Sequence, residues 1–162
     1  MTIAMQGNRI VFAAVVAFTG KRTPDGRVLT APEGFRCPAR AFPLPVFGWQ
    51  PFTDGIQIAV QAGVIEEAYV VAGRIITFGR LDTAPEFTPF VQQLRDGTHR
   101  LEIDLTNVQM EMSGRPVGEG VWEIEGAMSA DLHLVSWRLA AAHIGDKPSW
   151  DLPPVQIEDL IT

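Results

Sequence analysis

A β-rich α+β fold is what this sequence predicts: a small closed or partly closed β-barrel with about two short helices. Three observations predict it. The 162 residues include 15 Gly and 12 Pro scattered along the chain, which divide it into many short elements. Apolar stretches either alternate with polar residues at period two, as at Gln57 to Ala62 and Leu101 to Met112, or are rich in Val, Ile and Phe, as strands are. The clearest helical period, with its capping signals, is confined to one segment. The length suits one domain, with residues 1–146 as its body and 147–162 as an extended C-terminal tail.

Taken in order, Arg9 to Phe18 is rich in Val, Ile and Phe and reads as the first strand. Thr23-Pro24-Asp25-Gly26 is a turn in which Pro fixes φ, Asp caps and Gly supplies a positive φ. Val28-Leu29 resumes extended chain. Residues 31–51 hold prolines at positions 32, 38, 43, 45 and 51, which argue against both a helix and a central strand. An ordered, extended arm packing Phe42, Leu44, Val46, Phe47 and Trp49 is expected there. Gln57 to Ala62 alternates as a half-buried strand. Residues 62–68 read as a loop or turn entering a longer β segment, Tyr69 to Leu81, with Gly73 and Gly79 as bends or bulges.

The clearest helix follows. Thr83 and Glu86 have capping-box spacing, and Phe87, Phe90, Val91 and Leu94 share one face. Gly97 suits the position just past the helix end. Pro85 fits the first turn, whereas Pro89 is expected to shorten or kink the helix. Leu101 to Met112 alternates with a phase break at Thr106-Asn107, the mark of a bulge or turn. Ser113-Gly114-Arg115-Pro116 reads as a turn, and Val121 to Ala127 and Ala130 to Val135 as strands. Ser136 to Ile144 reads as a second short helix ended by Gly145. Pro148, Pro153 and Pro154 keep the tail extended, with a final half-turn at its end.

Composition limits the function. No apolar run approaches the ~18 residues of a membrane span, and Ile10 to Phe18 lacks the flanks of a signal peptide. Cys37 is the single cysteine, no Cys/His cluster has zinc spacing, and no cofactor is expected. The chain fits a reducing compartment. No basic stripe with interleaved aromatics points to nucleic acid. The net charge of -6 is uneven: residues 1–80 carry eight Lys/Arg against five Asp/Glu, a balance of +3, and residues 81–162 five against fourteen, a balance of -9. A two-signed molecule can associate with copies of itself or dock on a partner.

Few residues offer chemistry. His99 sits in a polar turn, and His143 on the expected second helix reads as a packing or helix-end residue. Ser129 and His133 would share a strand face ~13 Å apart, too far for a catalytic pair. Glu66, Glu67 and Asp104 read as solvated carboxylates rather than an acid–base pair. Glu119, Glu123 and Glu125 alternate on an exposed strand face, and Met110 and Met112 belong to a core or an interface.

The order of segments resembles that of the tailed-phage prohead proteases, which mature capsids. Thr23 to Val28, TPDGRV, is similar to the family's early Gly-Asp-Gly-Arg turn. Ala41 to Gln50, AFPLPVFGWQ, resembles its Pro-Leu-Pro-Leu segment, and Val70 to Ile75, VVAGRI, its Val-Val-Gly-Arg-Ile strand. Leu94 to Val108, LRDGTHRLEIDLTNV, is similar to the helix end and nucleophile strand, and Gly126 to Ile144 to the closing strand and helix. The resemblance spans residues 9–145. It implies a small barrel related to the herpesvirus assemblins, with a serine nucleophile and a histidine base. Glu102 takes the serine position, and residues 100–105 hold no Ser, Thr or Cys. The histidine window falls on Val64, Ile65, Glu66 and Glu67, and residues 51–76 hold no histidine. A carboxylate cannot form an ordinary acyl-enzyme at a peptide bond.

The resemblance therefore implies a degenerate protease, with Glu102, Val64 and Glu66 at the lost catalytic positions. The expected role is a virion structural protein of a tailed phage: a decoration, cement or minor capsid protein found in the capsid, and in the host cytoplasm during assembly. Its expected partners are the major capsid protein and copies of itself, a trimer among the oligomers considered. Phe42, Phe47, Trp49, Trp150 and Leu152 are the candidate interface residues. The alternatives are an active maturation protease with a displaced pair such as Ser129 and His133, and another head or tail assembly module.

Overall fold

The computed structural model describes residues 8–24, 26–30, 39–112, 115–117 and 132–161. They form nine strands, two short 3-10 turns and one α-helix. The strands are β1 (Asn8–Phe18), β2 (Arg27–Leu29), β3 (Leu44–Pro51), β4 (Gln57–Val71), β5 (Arg74–Leu81), β6 (Arg100–Met112), β7 (Arg115–Val117), β8 (Leu132–Gly145) and β9 (Gln156–Ile161). All belong to one mixed sheet ordered β7-β6-β8-β3-β4-β5-β1-β9, with β2 pairing β8 beside that path. The β-rich expectation holds. The sheet is open-ended rather than a closed barrel: β7 and β9 are its two ends. It curls nonetheless, and β1 and β6 approach each other without sharing a ladder. Phe12, Val16, Ile65, Ile75, Leu94, Leu101 and Trp137 gather into the buried core inside this curl.

Among the described residues the helical count is lower than expected. Residues 136–144 belong to β8, not to a second helix. The alanines of Leu139-Ala140-Ala141-Ala142 favour a helix locally, but pairing overrides that preference. β6 runs antiparallel along the full length of β8. On the other side β2 and β3 pair parallel with its two ends, at Leu132–Leu134 and at Ala142-His143. Ala141 and Ala142 point to opposite faces and are both buried. Within the expected 130–135 strand, β8 starts at Leu132; the expected strand 121–127 lies outside the described residues.

The proline-rich arm corrects a second expectation. Residues 44–51 form β3, an interior strand between β8 and β4. It tolerates Pro45 and Pro51 because β8 pairs only with Val46 and Phe47 between them. Each proline thus lies where no donor to β8 is required. The hairpin from β3 to β4 turns at Asp54-Gly55, both at positive φ (52° and 77°), which is the geometry of a two-residue type I′ turn.

Nor is 62–68 a loop. It is the middle of β4, which runs unbroken to Val71 and carries a bulge between Ile65 and Glu67. Gly73 is the bend of the two alternatives, the second residue of another tight turn, Ala72-Gly73, at φ 51° and 76°. Gly79 is required by close approach: a Cβ there would stand 2.0 Å from the Val64 carbonyl oxygen.

The helix α1 (Thr88–Arg95) follows a 3-10 turn, Pro85–Phe87. The expected Thr83 cap is not made, and neither the 3-10 turn nor α1 has a side-chain cap; Asp82 instead closes a local turn before them, its Oδ1 accepting the Ala84 N–H at 2.9 Å. Pro89 lies in the first turn, where it interrupts no helical bond. Phe90, Val91 and Leu94 are buried as expected, and Gly97 closes the helix at φ 72°. Gly48 lets the Phe90 ring lie against β3. The phase break in β6 is real, with register shifts between Thr106 and Gln109. Arg115 and Pro116 lie in the short end strand β7 rather than in a turn.

The tail is part of the body. Trp150 and Leu152 are only 8% and 3% exposed, and Val155 is buried with them. The chain then enters β9, which pairs antiparallel with β1, where a half-turn was expected.

Candidate functional site

On the outer face of β6, residues two apart point the same way. Glu102 and Asp104 are such a pair. Register places Glu102 opposite His143 and Asp104 opposite Ala141 on β8. The His143 ring lies between the two carboxylates. Its Nδ1–H donates to Asp104 Oδ1 at 2.8 Å, and Nε2 stands 3.6 Å from Glu102 Oε2. The other oxygen of Glu102 accepts the backbone N–H of Ser149 at 2.7 Å. Arg27 on β2 donates to the Ser149 hydroxyl at 3.3 Å. The tail is thereby tied to β6, and Arg100 adds a second tie by donating Nε–H to the Leu152 carbonyl at 2.9 Å. Trp150 Nε1–H caps the Lys21 carbonyl at 3.2 Å.

The electrostatics follow from this geometry. The hydrogen bond to Asp104, then the close contact with the Glu102 carboxylate, raise the His143 pKa to about 9 against the opposing effect of burial. Burial pushes Glu102 upward, but hydrogen bonds from His143 and from the Ser149 hydroxyl and amide outweigh it and hold the carboxyl below its usual range. At neutral pH the cluster is an imidazolium between two carboxylates. A protonated ring has no lone pair with which to take a proton from a nucleophile. The carboxylates engage opposite sides of the ring, so the three groups do not converge on one point. Among the described residues no group of His, Cys, Asp and Glu is placed to hold a metal ion.

The three positions that the resemblance marked as lost catalytic ones are separated in the ladder. Glu102 lies on β6 and is half-buried. Val64 and Glu66 lie on β4, with β8 and β3 between. Glu66 is exposed and accepts from Arg80 Nε at 2.8 Å. His143, read from sequence as a helix residue, is the group that actually meets Glu102. The signal available was the period-two spacing of Glu102 and Asp104; their partner depends on the pairing of β6 with β8. His99 sits in the turn after α1, its Nδ1 2.9 Å from Thr98 Oγ1. His133 lies opposite Glu111, and Ser129 is outside the described residues.

Two surfaces stand apart from this cluster. The tip of the β3–β4 hairpin is solvent-exposed on both faces from Trp49 to Ala59, with Trp49, Phe52, Ile56 and Ile58 between 40% and 66% exposed. On another side, a shallow groove of about 630 Å3 is lined by Val11, Ala13, Phe78, Glu66, Glu67 and Glu158, among others. Of the candidate interface residues, Trp49 alone is largely exposed. Phe42 and Phe47 are half-buried, and Trp150 and Leu152 pack inside the chain. Among the described residues no helix is long and apolar enough to cross a membrane. The chain matches no family model, no curated protein and no solved structure.

Proposed function

We propose that the protein is a non-enzymatic component of a tailed-phage particle, on a degenerate protease-like fold, that binds the major capsid protein as a decoration, cement or minor capsid protein. The observation that carries the binding role is the β3–β4 hairpin. Four large apolar side chains on an element with both faces in solvent are costly unless a partner covers them. Aromatic residues so placed are the common anchors of protein interfaces. The hairpin tip, residues 49–59, has one charged residue, Asp54, so it suits an apolar pocket rather than a charged one. The phage assignment rests on the family-like order of segments and on Glu102 at the nucleophile position. The His143 cluster supports the same reading, since its imidazole is engaged as a cation that joins strands.

The test is occupancy of purified phage particles, measured by mass spectrometry. Trp49→Ala with Phe52→Ala should lower occupancy about tenfold or more, as loss of two anchor residues does, and leave thermal unfolding unchanged. Full occupancy of the double variant removes the hairpin from the proposal. Absence of the wild-type chain from mature particles removes the capsid role. Specific cleavage of co-expressed capsid protein, lost on Ser129→Ala, would replace it with a maturation protease.

A further inference from the structure

The pairing of β4, β5, β1 and β9 sorts their outward side chains into rows across the strands. Val64, Arg80, Val11 and Glu158 form one row, with bulged Glu66 beside it. Glu67, Phe78, Ala13 and Gln156 form the next, then Tyr69, Ile76 and Val15, then Val71, Arg74 and Phe18. The inward residues between them, such as Ile75, Thr77 and Leu81, are buried. The middle of this outer face is apolar. Tyr69, Val71 and Phe78 are 40–51% exposed, and the Tyr69 and Phe78 rings meet edge to face at 6.1 Å.

The two ends of the face differ in charge. One end carries Glu66, Glu67 and Glu158 beside Arg80, which Glu66 engages, and Arg9 at its margin; it is acidic on balance and contains the groove. The other carries Arg74 and Lys21, the latter 4.8 Å over the Phe18 ring. Among the described residues Arg74 and Glu158 make no ion pair. An apolar strip with an acidic end and a basic end is complementary to itself when reversed.

We propose that this outer face packs against the same face of a second copy, about a two-fold axis running across the strands. That axis turns each strand end for end, so Arg74 and Lys21 of each copy meet the acidic groove of the other. A two-fold parallel to the strands would instead set acid on acid, and the charges select against it. The contact is isologous, as closed dimers require. Three strands at ~4.8 Å and eight residues at ~3.3 Å, with the start of β9 beside them, give a projected area on the order of 400 Å2 per copy, enough for a weak sheet-on-sheet dimer. This dimer does not depend on what the hairpin binds.

Sedimentation equilibrium of the whole chain tests it. A dimer is expected below about 100 µM, a level at which even a weak dimer is populated. Arg74→Glu should weaken association about tenfold at low salt, and adding Glu158→Arg should restore it. Tyr69→Ala with Phe78→Ala should abolish the dimer. All these positions are exposed, and a thermal melt reports whether each variant folds; the charge pair decides the matter if the aromatic pair does not. A monomer throughout, a trimer, or a dimer that neither pair of variants moves overturns the proposal. A monomer would assign the face to a different protein.

Discussion

At neutral pH the His143 ring is a cation between Asp104 and Glu102, and its charge ties β6 to β8. A group whose pKa rises on folding stabilises the folded state fully below its ordinary value of 6.5, and that contribution is lost as pH rises through about 9. Glu102, held below its ordinary value, acts in the opposite sense and loses its contribution as the solution is acidified. Stability from the cluster should therefore be greatest between these limits. His143→Gln should cost about 1–2 kcal/mol at pH 6, after allowance for solvent screening at a half-exposed site. Thermal melts from pH 6 to 10 would show the wild type converging on the variant; parallel curves would remove the imidazolium from the account. The carboxylate spacing was legible in the sequence, because period two is local. His143 was not, because its partner lies across a ladder between segments some forty residues apart.

Among the elements, the β4–β5 hairpin is the most demanding. The bulge at Glu66 brings the Val64 carbonyl against Gly79, so Gly79→Ala should cost about 2–4 kcal/mol through backbone overlap. Gly55→Ala, at positive φ in open space, should cost only about 1 kcal/mol. Equal losses in chemical denaturation would mean that conformation rather than close approach sets the Gly79 requirement. The strands β1 and β6 were largely legible, since alternation and β-branched residues act locally, and β4 was legible only at its two ends. Two elements were not. The alanines of β8 favour a helix until three neighbours pair with it. The prolines of β3 speak against an interior strand until their positions outside the two-sided stretch are known. Asp54-Gly55 was a readable hairpin signal that the prolines obscured.

For the molecule as a whole, the tail decides stability. Trp150 and Leu152, expected at an interface with a partner, complete the chain's own core. Trp150→Ala should destabilise the fold by about 3–5 kcal/mol, measured by denaturant unfolding. A variant as stable as wild type would return Trp150 to the surface. Such docking was illegible because the same extended, proline-punctuated segment serves equally well on a neighbour or on itself. β1 lies between β5 and β9, so the first of the described strands is held by the last. During synthesis at ~5–20 residues per second, β1 leaves the ribosome on the order of ten seconds before β9 follows. Throughout that interval one side of β1 and the hydrophobic seat of Trp150 stand open in the nascent chain. The order of translation thus gives chaperones, or a second nascent copy, a window on this strand that the finished protein closes.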